Sequence, residues 1–130
     1  MTHATLRPLA ATVSLVVVGL LLLAAAGHAT TRAPRAATRC DVSRDGRRLG
    51  TTYVTSLSAT KVSCTKAKRV VKAFNACRRA HGGADGTCRS SVQGFHCTER
   101  RGPAIPTQYS SRVTCRSAAR RVQFAYTQFT

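Results

Sequence analysis

The chain has 130 residues, of which 21 are Lys or Arg and only four are Asp or Glu, so its formal net charge at pH 7 is +17. This length excludes several large domains and leaves room for one domain with a modest core. With three Tyr, four Phe and no Trp, the aromatic residues are too few, and too far from the basic clusters, to form the stacking platform that base recognition needs.

The first 29 residues have the features of a secretory signal peptide. An unbroken apolar stretch runs from Val13 to Ala26, and the small residues Gly27 and Ala29 stand at the −3 and −1 positions of a cleavage site. A retained membrane anchor is the alternative, but an anchor needs about 20 apolar residues to span a bilayer. The pattern therefore predicts a signal peptide over residues 1–29 and a protein that is secreted or associated with the cell envelope.

Residues 30–39 have the composition of a disordered basic linker. They contain Pro34 and three Arg but no large apolar side chain. The folded part is then residues 40–130, a single disulfide-bonded domain. The 101 residues that follow the expected cleavage site carry 20 of the Lys and Arg and all four acids, which is a net charge of +16.

All six cysteines lie in this folded part, and an even number in a short exported chain indicates a disulfide framework. Their spacings match neither the C-x2-4-C of structural zinc sites nor the C-x-x-C of thiol oxidoreductases. A metal site that includes His81 or His96, and a reactive thiol, are the alternatives. Many pairings are open, and the local bridge between Cys77 and Cys88 is the one that we favour. The predicted disulfide cysteines are Cys40, Cys64, Cys77, Cys88, Cys97 and Cys115.

The segment from Cys64 to Ala80 has the periodicity of an amphipathic helix. Ser63 stands before it as an N-cap, and Gly82 and Gly83 follow it as a stop signal. The apolar residues recur at helical spacing and form one stripe: Ala67, Val70, Val71, Phe74 and Cys77.

The other side of this predicted helix is basic, and we take it as the candidate polyanion-binding surface. Further arginines lie in the segments RDGRR, ERR and RSAARR. Because the cations are spread over several segments, a merely solvated basic surface is the competing interpretation. The candidate residues on the helix are Lys66, Lys68, Arg69, Lys72 and Arg79.

Four segments alternate between apolar and polar residues in the manner of β-strands: residues 50–57, 91–98, 112–116 and 121–128. In the second segment this alternation places Gln93, Phe95 and Cys97 on one side, and a loop with Pro103 and Pro106 is expected after it. The order β-α-β-β-β predicts an α+β fold, in which one amphipathic helix packs on a small antiparallel sheet. The predicted core consists of Val70, Val71, Phe74, Phe95, Val113, Val122, Phe124 and Tyr126.

The stretches VSCTKAKRVVKAF, GFHC and VTC…RRVQFAY resemble those of a group of small secreted actinobacterial proteins. In that group a Cys begins a helix, an Ala follows three residues on, and G-F/W-x-C and V-x-C elements come later. Here these elements are Cys64, Ala67, Gly94–Cys97 and Val113–Cys115, and the resemblance covers residues 62–127. It implies export and a compact disulfide-bonded fold, and it carries over no catalytic residue.

The predicted function is that of a secreted, non-enzymatic basic protein that binds anionic envelope polymers, an anionic membrane surface or other polyanions. A small secreted nuclease is one alternative, with His96 and Glu99 as the acid/base candidates. However, strand alternation directs His96 outward and Glu99 is expected to begin a loop, so we predict no catalytic, cofactor-binding or metal-binding residue. A cationic antimicrobial or inhibitory factor is the other alternative, and burial of the apolar helix stripe argues against membrane insertion.

Overall fold

A computed structural model of the chain describes residues 35–50 and 53–130. The expected signal peptide, residues 1–29, lies outside these described ranges. Within them, none of the helices combines the length and the apolar character needed to cross a membrane. In chain order the elements are β1 (Thr38–Arg39), β2 (Tyr53–Thr60), α1 (Cys64–Ala80), a 3-10 turn (Gly83–Asp85), β3 (His96–Ile105), β4 (Gln108–Ser117) and β5 (Arg120–Phe129).

The strands form one five-stranded antiparallel sheet with the order β1-β2-β5-β4-β3. Two tight hairpins join β3 to β4 and β4 to β5, and β2 pairs with the far side of β5. In the second hairpin Ala118 has a φ of 49°, which is the left-handed conformation that two-residue hairpin turns require. The α+β class with one helix on an antiparallel sheet is thus confirmed, and the short strand β1 is added to it.

Helix α1 has the predicted bounds and the predicted N-cap. The Ser63 Oγ accepts a hydrogen bond from the Lys66 backbone N–H at 3.3 Å, which satisfies one of the amides left unpaired at the helix start. The apolar stripe faces the sheet, and the Phe74 ring meets the Phe124 ring edge-on with centroids 5.6 Å apart. Burial of this stripe, more than helix propensity, holds a helix of this length in place.

The core lies between α1 and the sheet. All eight residues predicted for it are buried, and strand alternation explains why, since every second side chain of β4 and β5 points toward the helix. Gln93 departs from the prediction. It is exposed, because residues 92–95 form a tight turn in which Gln93 and Gly94 both have positive φ, and only Val92 and Phe95 turn inward.

The three disulfides are Cys40–Cys64, Cys77–Cys88 and Cys97–Cys115. The expected bridge between Cys77 and Cys88 is confirmed, and all six cysteines are bonded. Two bridges hold the two ends of α1, while the third joins directly opposite residues of β3 and β4. The disulfides therefore anchor the helix at both ends and fasten the edge strand to the sheet.

Several sequence expectations about element boundaries change. The strand expected over residues 91–98 begins only at His96, because residues 92–95 form a turn, and the strand expected over 112–116 begins at Gln108. Strand β2 extends to Thr60, beyond the expected end at residue 57. Glu99 and Pro103 lie inside β3 and not in a loop, because a bulge between Arg101 and Ala104 accommodates the proline on an edge strand. The last two residues of the expected linker, Thr38–Arg39, pair with β2 as β1, since the neighbouring Cys40 is bonded to the start of α1.

Candidate polyanion-binding surfaces

The candidate cations of α1 do not share one environment. Arg69, Lys72 and Arg79 are exposed, whereas Lys66 and Lys68 are half-buried and hydrogen-bonded on opposite flanks of the helix. The Lys66 ammonium donates to Gln93 Oε1 at 3.0 Å. The Lys68 ammonium donates to Asp45 Oδ2 at 2.6 Å, and this hydrogen bond holds the pKa of the Asp45 carboxyl below its usual value. The helix therefore presents three exposed cations, and two more that already have polar partners.

The sheet face that points away from α1, here called the outer face, carries a second set of cations. Strand register brings its side chains into three rows that run across the strands. The first row is mostly basic and consists of His96, Arg116, Arg121 and Thr60. The middle row carries hydroxyl and amide groups and consists of Thr98, Thr114, Gln123 and Ser58. The third row is basic at one end and consists of Arg100, Arg112, Ala125 and Ser56.

Like charges stand directly opposite each other on this face. Arg100 is the register partner of Arg112, and Arg116 is the partner of Arg121. Opposed like charges destabilise a sheet by about 0.2–1 kcal/mol per pair. Within the part of the chain that the structure describes, none of these four arginines forms a side-chain hydrogen bond or an ion pair. Their guanidinium groups are therefore available to solvent and to a bound ligand.

A shallow depression of about 630 Å³ lies over the outer face. Its lining combines side chains of the middle row, among them Thr98 and Gln123, with Arg100 and Arg112 on one side and Arg116 on the other. We call this depression the groove. It has a floor of hydroxyl and amide groups and two basic walls, so its chemistry suits an anion that also accepts or donates neutral hydrogen bonds.

The acid nearest to these arginines in sequence, Glu99, points to the opposite face of the sheet. Its Oε1 accepts hydrogen bonds from Ser111 Oγ at 2.9 Å, from Arg101 Nε at 3.1 Å and from the Tyr126 hydroxyl. Burial and the hydrogen bond to Glu99 raise the pKa of Tyr126, so its hydroxyl keeps its proton and remains a donor. Glu99 is thus engaged inside the fold and does not neutralise the outer face.

Arg78 completes this inner network and is 1% exposed. Its guanidinium donates to the carbonyl oxygens of Ala84 at 2.7 Å and Gly86 at 3.1 Å, and its Nε lies 3.8 Å from Glu99 Oε2. It also lies over the Tyr126 ring at 4.8 Å. A buried charge with this many partners positions the loop after α1 against the sheet, which is a structural role.

The acid/base pair considered for a nuclease is not brought together. His96 and Glu99 are three residues apart on one strand, so His96 is on the outer face and Glu99 is on the face toward the helix. His81 lies elsewhere, at the end of α1, with its Nδ1 2.7 Å from the Cys77 carbonyl oxygen. His96 and Glu99 both border a pocket of about 440 Å³ at the edge of the sheet, but they do so from opposite faces of β3, and His81 does not line this pocket.

Sequence reasoning grouped the arginines by segment, and the sheet regroups them. In ERR, Arg100 faces outward while Arg101 binds Glu99 on the inner side. In RSAARR, Arg116 and Arg121 face outward while Arg120 lies over the Phe95 ring. Arg112 belonged to no sequence cluster, although the alternation around the buried Val113 and Cys115 was a signal that could have placed it on the outer face.

In residues 35–50 and 53–130, no group of three or more His, Cys, Asp or Glu side chains is arranged to hold a metal ion. No protein-family model, curated protein or solved structure matches the chain. The function is therefore inferred from the geometry and charge of the described residues.

Proposed function

We propose that the protein is exported and, without catalysing a reaction, binds anionic polymers of the cell envelope or its surroundings. Its three disulfides support an oxidising compartment, since cytosolic proteins rarely keep such bonds. The apolar stretch and small residues of the N-terminus support export through a signal peptide. In the expected mature chain, 20 cations face only four acids, which attracts polyanions at long range.

The observation that carries this proposal is the outer face, where four arginines from three strands form two opposed pairs without an acid among them. Arginine binds phosphate and carboxylate groups through paired N–H donors, and it keeps its charge at any physiological pH. Binding of a polymer to such a face releases counterions, so affinity falls as salt rises. The contacts involve charge and hydrogen bonds and need no defined sequence in the polymer.

The structure favours the outer face over α1 as the main contact. Two of the five cations on the helix are already hydrogen-bonded to Gln93 and Asp45. The membrane-active alternative would need an exposed apolar helix face, whereas Val70, Val71 and Phe74 are 0% exposed.

The test is retention of the oxidised mature protein on immobilised heparin across a salt series. The outer-face triple variant is Arg100→Gln, Arg112→Gln and Arg116→Gln, and its control with the same loss of charge is Arg69→Gln, Lys72→Gln and Arg79→Gln on α1. We expect about a tenfold loss of affinity for the outer-face triple, since three contacts of about 0.5 kcal/mol each amount to roughly one factor of ten. The helix triple should lose clearly less.

Two outcomes contradict this proposal. If the wild-type protein passes through heparin at low salt, polyanion binding itself is wrong. If the two triples lose affinity equally, binding depends on net charge alone and the outer face is not the contact surface.

A further inference from the structure

We infer that the groove on the outer face takes an extended chain of phosphodiester-linked polyol units that runs across the strands. This inference rests on the proposed function and specifies its ligand. It depends on three features of the groove, which are the separation of its basic walls, the pairing of arginines within each wall, and the chemistry of its floor.

The separation of the walls favours a chain over a compact anion. Arg112 and Arg116 lie on the same strand four residues apart, and a strand rises about 3.4 Å per residue, so the walls are about 14 Å apart. Four strands at about 4.8 Å spacing give the middle row a length of about 14 Å. A single phosphate group cannot contact both walls, whereas a chain lying in the groove can place successive charges against each of them.

The pairing of arginines within each wall favours phosphate as the charged group. Arg100 and Arg112 both line the groove and extend from neighbouring strands. On the other side Arg116 lines it, and its register partner Arg121 stands next to Arg116 without lining the groove. A carboxylate presents two oxygens in one plane, and one guanidinium fork already matches them. The oxygens of a tetrahedral phosphodiester point in several directions, so two guanidinium groups from different strands can bind it together, which also offsets their mutual repulsion.

The floor favours a polyol backbone over a nucleic acid. Its side chains are Thr98, Thr114, Gln123 and Ser58. The Thr98 hydroxyl donates to the Thr114 carbonyl oxygen at 3.3 Å and can still accept, and the other hydroxyl and amide groups can donate and accept, so the floor matches a polymer rich in hydroxyl groups. Single-stranded nucleic acid binds instead by stacking its bases on aromatic side chains. The exposed aromatic residues of the described sheet lie outside the groove, with Tyr53 beneath Arg47 and Phe129 at the end of β5.

The experiment measures the affinity of the oxidised mature protein for three fluorescently labelled polymers with the same number of charges at one salt concentration. These are poly(glycerol phosphate), a polyuronate and single-stranded DNA. We expect poly(glycerol phosphate) to bind about tenfold more tightly than either of the others. A floor variant with Thr98→Val and Thr114→Val should lose about two- to tenfold in affinity for poly(glycerol phosphate), because two hydroxyl contacts are removed, and should bind single-stranded DNA as before.

Each result has a defined consequence. Equal affinity for the three polymers overturns the assignment of a polyol phosphate while leaving the proposed function standing, and no binding to any of them overturns both. Tighter binding of DNA than of poly(glycerol phosphate) contradicts the inference. If the floor variant keeps wild-type affinity for poly(glycerol phosphate) and an unchanged melting temperature, the groove is not where the polymer lies.

Discussion

At the scale of single residues, Glu99 accounts for the separation of charge in this fold. It is flanked by arginines in sequence, yet its carboxylate is directed inward, where Ser111, Tyr126 and Arg101 donate to it and Arg78 lies beside it. One carboxylate thereby accepts hydrogen bonds from two hydroxyl groups and gives the buried Arg78 a counter-charge at 3.8 Å. The same orientation leaves Arg100, the next residue along the strand, without an acid neighbour on the outer face.

Replacement of Glu99 by Ala should destabilise the protein by about 3–5 kcal/mol, because Arg78 would then be a buried charge without its counter-charge. The measurement is urea unfolding of the oxidised protein at neutral pH. Asp45→Ala is the control, since it breaks the ion pair between Asp45 and Lys68, whose side chains are 39% and 29% exposed. Such exposed pairs contribute about 1 kcal/mol or less. Equal losses in the two variants would show that the inner network adds no more than a surface pair.

At the scale of elements, helix α1 is the part that the sequence predicts most completely. Its bounds, N-cap, buried stripe and disulfide to Cys88 all follow from local chemistry: apolar spacing, a capping hydroxyl and a cysteine close by. Strand β3 is the opposite case. Its proline suggested a loop, and only its position at the sheet edge, with a bulge beside Pro103, allows it to remain a strand.

We expect Phe74→Ala to destabilise the protein by about 3–5 kcal/mol, since it removes a fully buried ring from the contact between α1 and β5. Lys72→Ala, two residues earlier on the exposed side of the same helix, should change stability by about 0.5 kcal/mol or less. Thermal and urea unfolding followed by circular dichroism would measure both. An unchanged transition for Phe74→Ala would contradict the core described above.

At the scale of the whole molecule, the pairing of β3, β4 and β5 concentrates positive charge on the outer face, and the repulsion between these charges lowers the stability of the sheet. Cations that belong to separate segments in the sequence become direct neighbours when β3, β4 and β5 pair. With few acids in the chain, this repulsion has no internal compensation on the outer face, and a bound polyanion would relieve it.

The outer-face triple, Arg100→Gln with Arg112→Gln and Arg116→Gln, should therefore be more stable than the wild type at low salt, by about 1 kcal/mol, while it loses affinity for polyanions. The difference should shrink at about 1 M salt, where charges are screened within about 3 Å. Urea unfolding of both proteins at the two salt concentrations measures it. A triple variant that is less stable than the wild type at both would mean that these arginines hold the sheet together.

The sequence alone determined the properties that depend on neighbours along the chain. The period of apolar residues placed α1 and predicted the burial of Val113, Val122, Phe124 and Tyr126, and the cysteine count predicted the disulfides. Only the tertiary structure decided which strands pair and in what register, because register is set by hydrogen bonds and packing between residues far apart in sequence. That register places Arg100 opposite Arg112 and Arg116 opposite Arg121, and no local pattern contains this information. The groove is consequently a property of the fold, built from side chains whose direction the sequence could predict but whose neighbours it could not.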